Sequence, residues 1–297
     1  MVQGITAEEL RSYETAGEIV KAAKRNAAGK IRPGLRLVDL AIDIEREIID
    51  AGAGLAFPCN ISINSIASHY TPAADNSEVF RQSDVIKVDV GAIVDGFIAD
   101  SAFTIEVESD KHQDLIMATE NVLEIAINTV RPGAYTSEVG RAIEESAAAR
   151  GYHVLKDLYG HNMGRNCLHG GLTIPGYDDR SRHKIREGDV LAIEPFLTPG
   201  IGEITRAPGG NIYMVIRRES IYARGEKGKK LLTRICREYG GFPFARRWLG
   251  DESKWLDELI ESAAVMEYPM LIEKDGAPVA QAEHTVIVEH NGCRIIT

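Results

Sequence analysis

Four acids set in apolar, strand-like surroundings are the residues best placed to do chemistry. Asp89 lies in Val85-Ile86-Lys87-Val88-Asp89-Val90 and Asp100 in Ile98-Ala99-Asp100-Ser101-Ala102-Phe103. Glu194 ends Val190-Leu191-Ala192-Ile193-Glu194, and Glu283 opens Glu283-His284-Thr285-Val286-Ile287-Val288. A buried carboxylate without a partner is costly, so each acid needs a compensating charge. One source is a nearby base, and Lys87, two residues before Asp89 on the same strand face, is at hand. For four acids in matched surroundings, divalent cations are the better answer. Paired carboxylates holding two ions about 3.5–4 Å apart are an arrangement that activates water for hydrolysis.

Histidine supplies the remaining ligand type. Of eight histidines, His69, His161 and His169 stand in turn- or glycine-rich segments: Ser68-His69-Tyr70-Thr71-Pro72 and Gly160-His161 through His169-Gly170-Gly171. No H-E-x-x-H occurs, which excludes zincin geometry. His284 follows Glu283 directly and therefore faces away from it in a strand. His112, His153, His183 and His290 read as surface residues.

The elements that position these groups are legible too. Asp95-Gly96 between two apolar runs predicts a two-residue hairpin, which pairs Val94 with Phe97 and sets Gly91 opposite Asp100. Asp89 then shares a face with Asp100 as its diagonal neighbour, roughly 7–8 Å away along the backbone. Gly188 to Glu194 repeats the pattern of Ser83 to Asp89, and Ala282 to Val288 that of Ala99 to Ile105. The chain thus reads as two divergent halves, each offering two acids. The acids lie 11 residues apart in the first half and 89 in the second. The difference is assigned to a helical subdomain at 205–265, which carries both tryptophans and a basic excess read as a solvated helix surface. Amphipathic periodicity predicts helices from Thr6, from Leu37 to Gly52, from Leu115 to Val130 and from Thr136 to Arg150.

Composition narrows the class. With 297 residues, 44% apolar, the chain can bury a substantial core. Its 34 basic against 44 acidic residues, net −10, argue against specific nucleic-acid binding. No apolar run approaches membrane-spanning length, and the four scattered cysteines read as free thiols, so a cytoplasmic protein is expected.

Taken together, Gly54-Leu55-Ala56-Phe57-Pro58, Ser68 to Pro72, Lys87 to Gly91, Asp95 to Asp100, Gly160-His161, His169-Gly170-Gly171, Ile193-Glu194-Pro195-Phe196 and Gln281 to Thr285 resemble the motifs of type II methionine aminopeptidases in their short, archaeal-type form. The resemblance runs from end to end. It implies an α+β pita-bread fold over 1–297: two pseudo-symmetric halves forming a curved antiparallel sheet, with helices outside. It also implies two divalent ions, Co, Mn, Fe or Zn, held by Asp89, Asp100, His161, Glu194 and Glu283. Glu194 would move the proton of the attacking water, His69 and His169 would bond the substrate's carbonyl and next peptide group, and Phe57, Leu168 and Tyr268 would line the methionine pocket. The activity implied is removal of N-terminal methionine from peptides and nascent chains, by a monomer with a transient ribosome contact and no membrane partner. The rival readings are an Xaa-Pro aminopeptidase or prolidase of the same fold, and a non-catalytic binding protein. Asn166 departs from the tyrosine frequent in the family, which predicts a different wall beside His169.

Overall fold

The computed structural model describes residues 4–223 and 225–297. Helix α1, Ala7–Lys30, begins with a reciprocal capping box: the Glu9 N–H donates to Thr6 Oγ1 at 3.2 Å and the Thr6 N–H to Glu9 Oε2 at 2.8 Å. Helix α2, Leu37–Asp50, buries Leu37, Leu40, Ala41, Ile44 and Ile48 along one face. Helix α1 lies against the strands Val85–Val94 and Phe97–Glu106 and against α2. Apolar side chains from both helices and both strands form one continuous core. Helices α3, Gln113–Thr129, and α4, Thr136–Ala149, pack on each other and enclose a second core with the strands Val190–Ile193 and His284–Glu289.

The first hairpin has the expected register: Val94 pairs with Phe97, Gly91 with Asp100, and Asp89 with Ala102. Asp95 and Gly96 both take positive φ, 53° and 90°, the requirement of the turn that matches strand twist. The strand Asn60–Ile63 pairs on the other side, so Asp89 lies between Asn60 and Ala102 in mid-sheet. In the second half, a five-stranded antiparallel sheet runs in the order Gly292–Ile295, His284–Glu289, Val190–Ile193, Tyr159–Met163, Thr173–Pro175.

Two threonines join the halves. The Asp100 N–H donates to Thr285 Oγ1 at 2.8 Å, while the Thr285 hydroxyl donates to the Asp100 carbonyl at 2.7 Å. Thr104 does the same with Gln281, at 2.8 and 2.6 Å. These bonds place the Gln281–Thr285 segment along the open edge of the first hairpin, which brings acids from both halves to one cleft.

Residues 205–265 are richer than a helical reading anticipates. Besides helix α5, Gly225–Glu238, they hold short strands at Ile212–Val215, Phe244–Ala245 and Val265–Glu267, paired as one small sheet. Strands of two to four residues are too short for alternation to show. Leu231, Leu232, Ile235, Phe244, Leu249 and Leu256 form a core of their own.

A buried ion pair pins this segment to the first half. Arg247 contacts Glu45 of α2, and the side chains keep only 4% and 7% exposure. Trp248 Nε1 donates to Glu45 Oε2 at 2.9 Å, and Arg247 Nη1 also donates to Thr71 Oγ1 and, at 3.1 Å, to the Pro72 carbonyl. Removing one partner strands the other charge in the interior. Arg247→Met should therefore cost about 3–5 kcal/mol, a fall of roughly 5–15 °C in melting temperature. Glu45→Gln in the same chain should restore part of it; calorimetry on the single and double variants decides. Among the described residues no helix is long and apolar enough to cross a membrane.

Candidate metal centre and active site

A cavity of about 430 Å³ opens between the halves, and all ten site residues expected from the sequence line it: Phe57, His69, Asp89, Asp100, His161, Leu168, His169, Glu194, Tyr268 and Glu283. At its floor, Asp89, Asp100 and Glu283 each present an oxygen within 4.8 Å of the other two. Asp89 and Asp100 stand in mid-strand. Glu194 and Glu283 lie just beyond the ends of theirs, past the last ladder pair, His284 with Ile193. His161 pairs with Ala192, two residues from Glu194 on the same face. Its Nε2 sits 3.7 Å from Asp100 Oδ2 and 3.8 Å from Glu194 Oε1.

Those distances are too long for hydrogen bonds and suit donors gathered around a common cation, since ligands each about 2.0–2.2 Å from one ion lie about 3–4 Å apart. Buried oxygens of Asp89 and Asp100, both Oδ1, have no hydrogen-bond partner. Lys87 does not serve Asp89: its ammonium donates to the Asn64 carbonyl at 2.6 Å and faces that of Val85 at 3.5 Å. Among the described residues no lysine or arginine forms an ion pair with any of the four acids. An oxygen-rich set with one imidazole fits a divalent metal of borderline hardness.

Burial raises all four carboxyls in the metal-free chain. Asp89 goes to about 7; Asp100, Glu194 and Glu283 stand well above the ordinary range, with neighbouring acids adding to the effect of burial. Native carboxyls then keep protons that the unfolded chain has released. Stability of the metal-free protein should fall as pH rises from roughly 4, the ordinary carboxyl value, through about 7 for Asp89. Melting in chelator at pH 5 and pH 8 tests the sign: the transition should come lower at pH 8, and metal should remove most of the difference.

The histidines move the other way. Burial lowers His161 to about 3 and His69 to about 4, and lowers His169, so all three are neutral at pH 7. A neutral imidazole is the form that binds metal or donates one N–H without competing charge. His161 and His169 meet edge to face, ring centres 4.3 Å apart, and His69 meets Tyr268 at 5.2 Å. His69 holds φ of +63°, a strained conformation for a residue with a Cβ. Its backbone is kept there by Gly210, where a Cβ would stand 2.3 Å from the His69 carbonyl oxygen, and by the Thr71 N–H donating to the Gly210 carbonyl at 3.0 Å. Gly91 similarly makes room for the Phe57 ring, which a Cβ there would meet at 2.4 Å.

Asn166 does not border the cavity. Its backbone N–H donates to the Gly96 carbonyl at 2.7 Å, and its side chain packs at the hairpin tip beside Gly96. Three supporting residues escaped the sequence reading. Gln281 Nε2 lies 3.4 Å from Glu283 Oε2, and its place two residues before Glu283 was the available signal. Ser101, behind the acids, donates to the Glu283 carbonyl at 2.5 Å. Lys24 of α1 donates in turn to Ser101 Oγ at 2.5 Å. Neither of these last two carries a local sequence signal, because the contact crosses the sheet.

Comparison with known proteins agrees with the geometry. The model of metallopeptidase family M24 matches residues 11–289. A methionine aminopeptidase of Methanothermobacter thermautotrophicus is 44% identical over 296 residues, covering 97% of this chain and 98% of that protein. In structure, a thermophilic Arx1 superposes with a TM-score of 0.86 at 20% identity, covering 99% of this chain and 91% of the other, which bears on fold alone. A methionine aminopeptidase of Thermotoga maritima superposes with a TM-score of 0.74 at 25% identity, covering 100% and 99%. The pita-bread fold and the metal-dependent peptidase class follow, and the chain belongs to metallopeptidase family M24, among its methionine aminopeptidases.

Proposed function

We propose that this protein removes the N-terminal methionine from peptides and nascent chains by hydrolysing the first peptide bond at a centre for two divalent ions, Co, Mn, Fe or Zn. One observation carries the reading: five residues of ligand type, two further histidines and an apolar wall converge on a single cavity. Asp89, Asp100 and Glu283 would hold the ions on one side, and His161 with Glu194 would complete the set. Bound there, divalent ions supply Lewis acidity toward a carbonyl oxygen and lower the pKa of water.

The remaining work falls to side chains. Glu194, at the cavity wall, accepts the proton of the attacking water and returns it to the leaving amine. His69 and His169, both neutral, donate ring N–H bonds to the scissile carbonyl and the following peptide group, and so favour the charge that develops on oxygen. Phe57 and Leu168, both 8% exposed, and Tyr268 would form the apolar wall that takes the methionine side chain. In this reading residues 205–265 form an inserted subdomain that supplies Gly210 behind His69 and leads into Tyr268.

The test is a peptide panel with metal supplied. Met-Ala-Ser should be cleaved after its first residue with Co²⁺ or Mn²⁺, and Ala-Pro peptides should not. Preferred cleavage of Ala-Pro would point to a prolidase-like specificity; no cleavage together with no bound metal would favour a binding protein.

A further inference from the structure

The helix side of the sheet holds a charge that the catalytic reading leaves unused. Lys24 of α1 is partly buried, and its ammonium donates to Ser101 Oγ, which donates to the Glu283 carbonyl. Ser101 is fully buried and follows Asp100 directly, so its side chain points to the opposite face from the carboxylates. The ammonium is thus one strand thickness behind the acid cluster. Its field reaches Glu283, Asp89 and Asp100, the three acids that raise its affinity for a proton; burial acts more strongly and lowers Lys24 to about 8, which leaves it mostly protonated at pH 7. Lys21, on the same helix, pairs with Glu18 at 2.8 Å in solvent. His284, nearby, is lowered to about 4 by burial and adds no charge.

We propose that Lys24 is a built-in counter-charge: from behind the sheet it stabilises the acid cluster while no metal is bound, and it weakens divalent-cation binding by the same repulsion. The inference rests on the metal reading of the cavity. It makes a prediction that a purely structural lysine does not. Linkage requires that a charge which favours the metal-free state over the loaded one opposes loading. A lysine that merely bridges α1 to Ser101 would favour both states alike.

Metal-free protein titrated calorimetrically with Mn²⁺, and melted with and without saturating Mn²⁺, provides the test. Lys24→Met should bind Mn²⁺ about tenfold more tightly than wild type, consistent with loss of one partly screened charge near the site. Its metal-free melting temperature should fall by several degrees while that of the loaded form stays close to wild type. Lys24→Gln, which can still bond Ser101, should behave like Lys24→Met, and Lys24→Arg should restore wild-type affinity. Lys21→Met, a change in exposed charge, should leave Mn²⁺ affinity nearly unaltered. Equal or weaker Mn²⁺ binding by both neutral Lys24 variants, or equal loss of stability in both states, overturns the proposal. If wild type itself binds no Mn²⁺ at saturation, the metal reading fails and the inference falls with it.

Discussion

Glu283→Gln will lower kcat/KM for a Met-Ala-Ser peptide by at least about a thousandfold, will release metal, and will nevertheless raise the melting temperature of the metal-free protein at pH 8. The first two effects follow if Glu283 is one of the oxygen donors to the ions, because a neutral amide binds divalent cations poorly and the chemistry depends on them. The third follows from burial. Glu283 keeps 2% of its surface, and its carboxyl is pushed well above the ordinary range by burial and by Asp100, Glu194 and Asp89. Removing one carboxyl from that cluster relieves a burial penalty that bound metal would otherwise offset. Elemental analysis after dialysis, peptide kinetics with excess Mn²⁺ and melting in chelator are the measurements. Full metal content with intact activity would remove Glu283 from the centre. A less stable metal-free variant at pH 8 would show that attraction to Lys24 outweighs the burial and acid–acid repulsion at Glu283.

His69→Ala should reduce kcat about 10²–10³-fold while metal content and KM change little. The ring borders the cavity without approaching the carboxylates to ion-pair distance, and its neutral state suits a donor to a developing oxyanion. The +63° backbone angle makes the residue's position over-determined by its surroundings, so alanine deletes the donor without releasing the loop. His169→Ala should show the same split between kcat and metal content. Because His169 also packs against His161 at 4.3 Å, its loss should loosen metal binding slightly more than that of His69. Parallel loss of metal and activity in His69→Ala would make it a ligand or a support for one, contrary to the role proposed.

Much of this arrangement is legible in the sequence, for reasons that differ by residue. Asp95-Gly96 fixes a turn type, the turn type fixes strand register, and register puts Asp89 and Asp100 on one face; each step is local. The capping box at Thr6 and the apolar stripe of α2 are local as well. Glu194 and Glu283 are legible through their apolar surroundings, and His161 through its glycine-rich ones. What the sequence does not disclose depends on approach between distant segments. Arg247 and Glu45 meet across 202 residues, and Lys24 reaches Ser101 across 77. The small sheet at 212–267 escapes for a different reason: its strands, two to four residues long, repeat the alternation of buried and exposed positions too few times to stand out.

The reciprocal bonds between Asp100 and Thr285 span 185 positions of chain. During synthesis, the early hairpin, with Asp89 and Asp100 already in register, is therefore obliged to wait until the late strand emerges and docks before Glu283 can join them. In the proposed reading the full donor set exists only once both arms have closed.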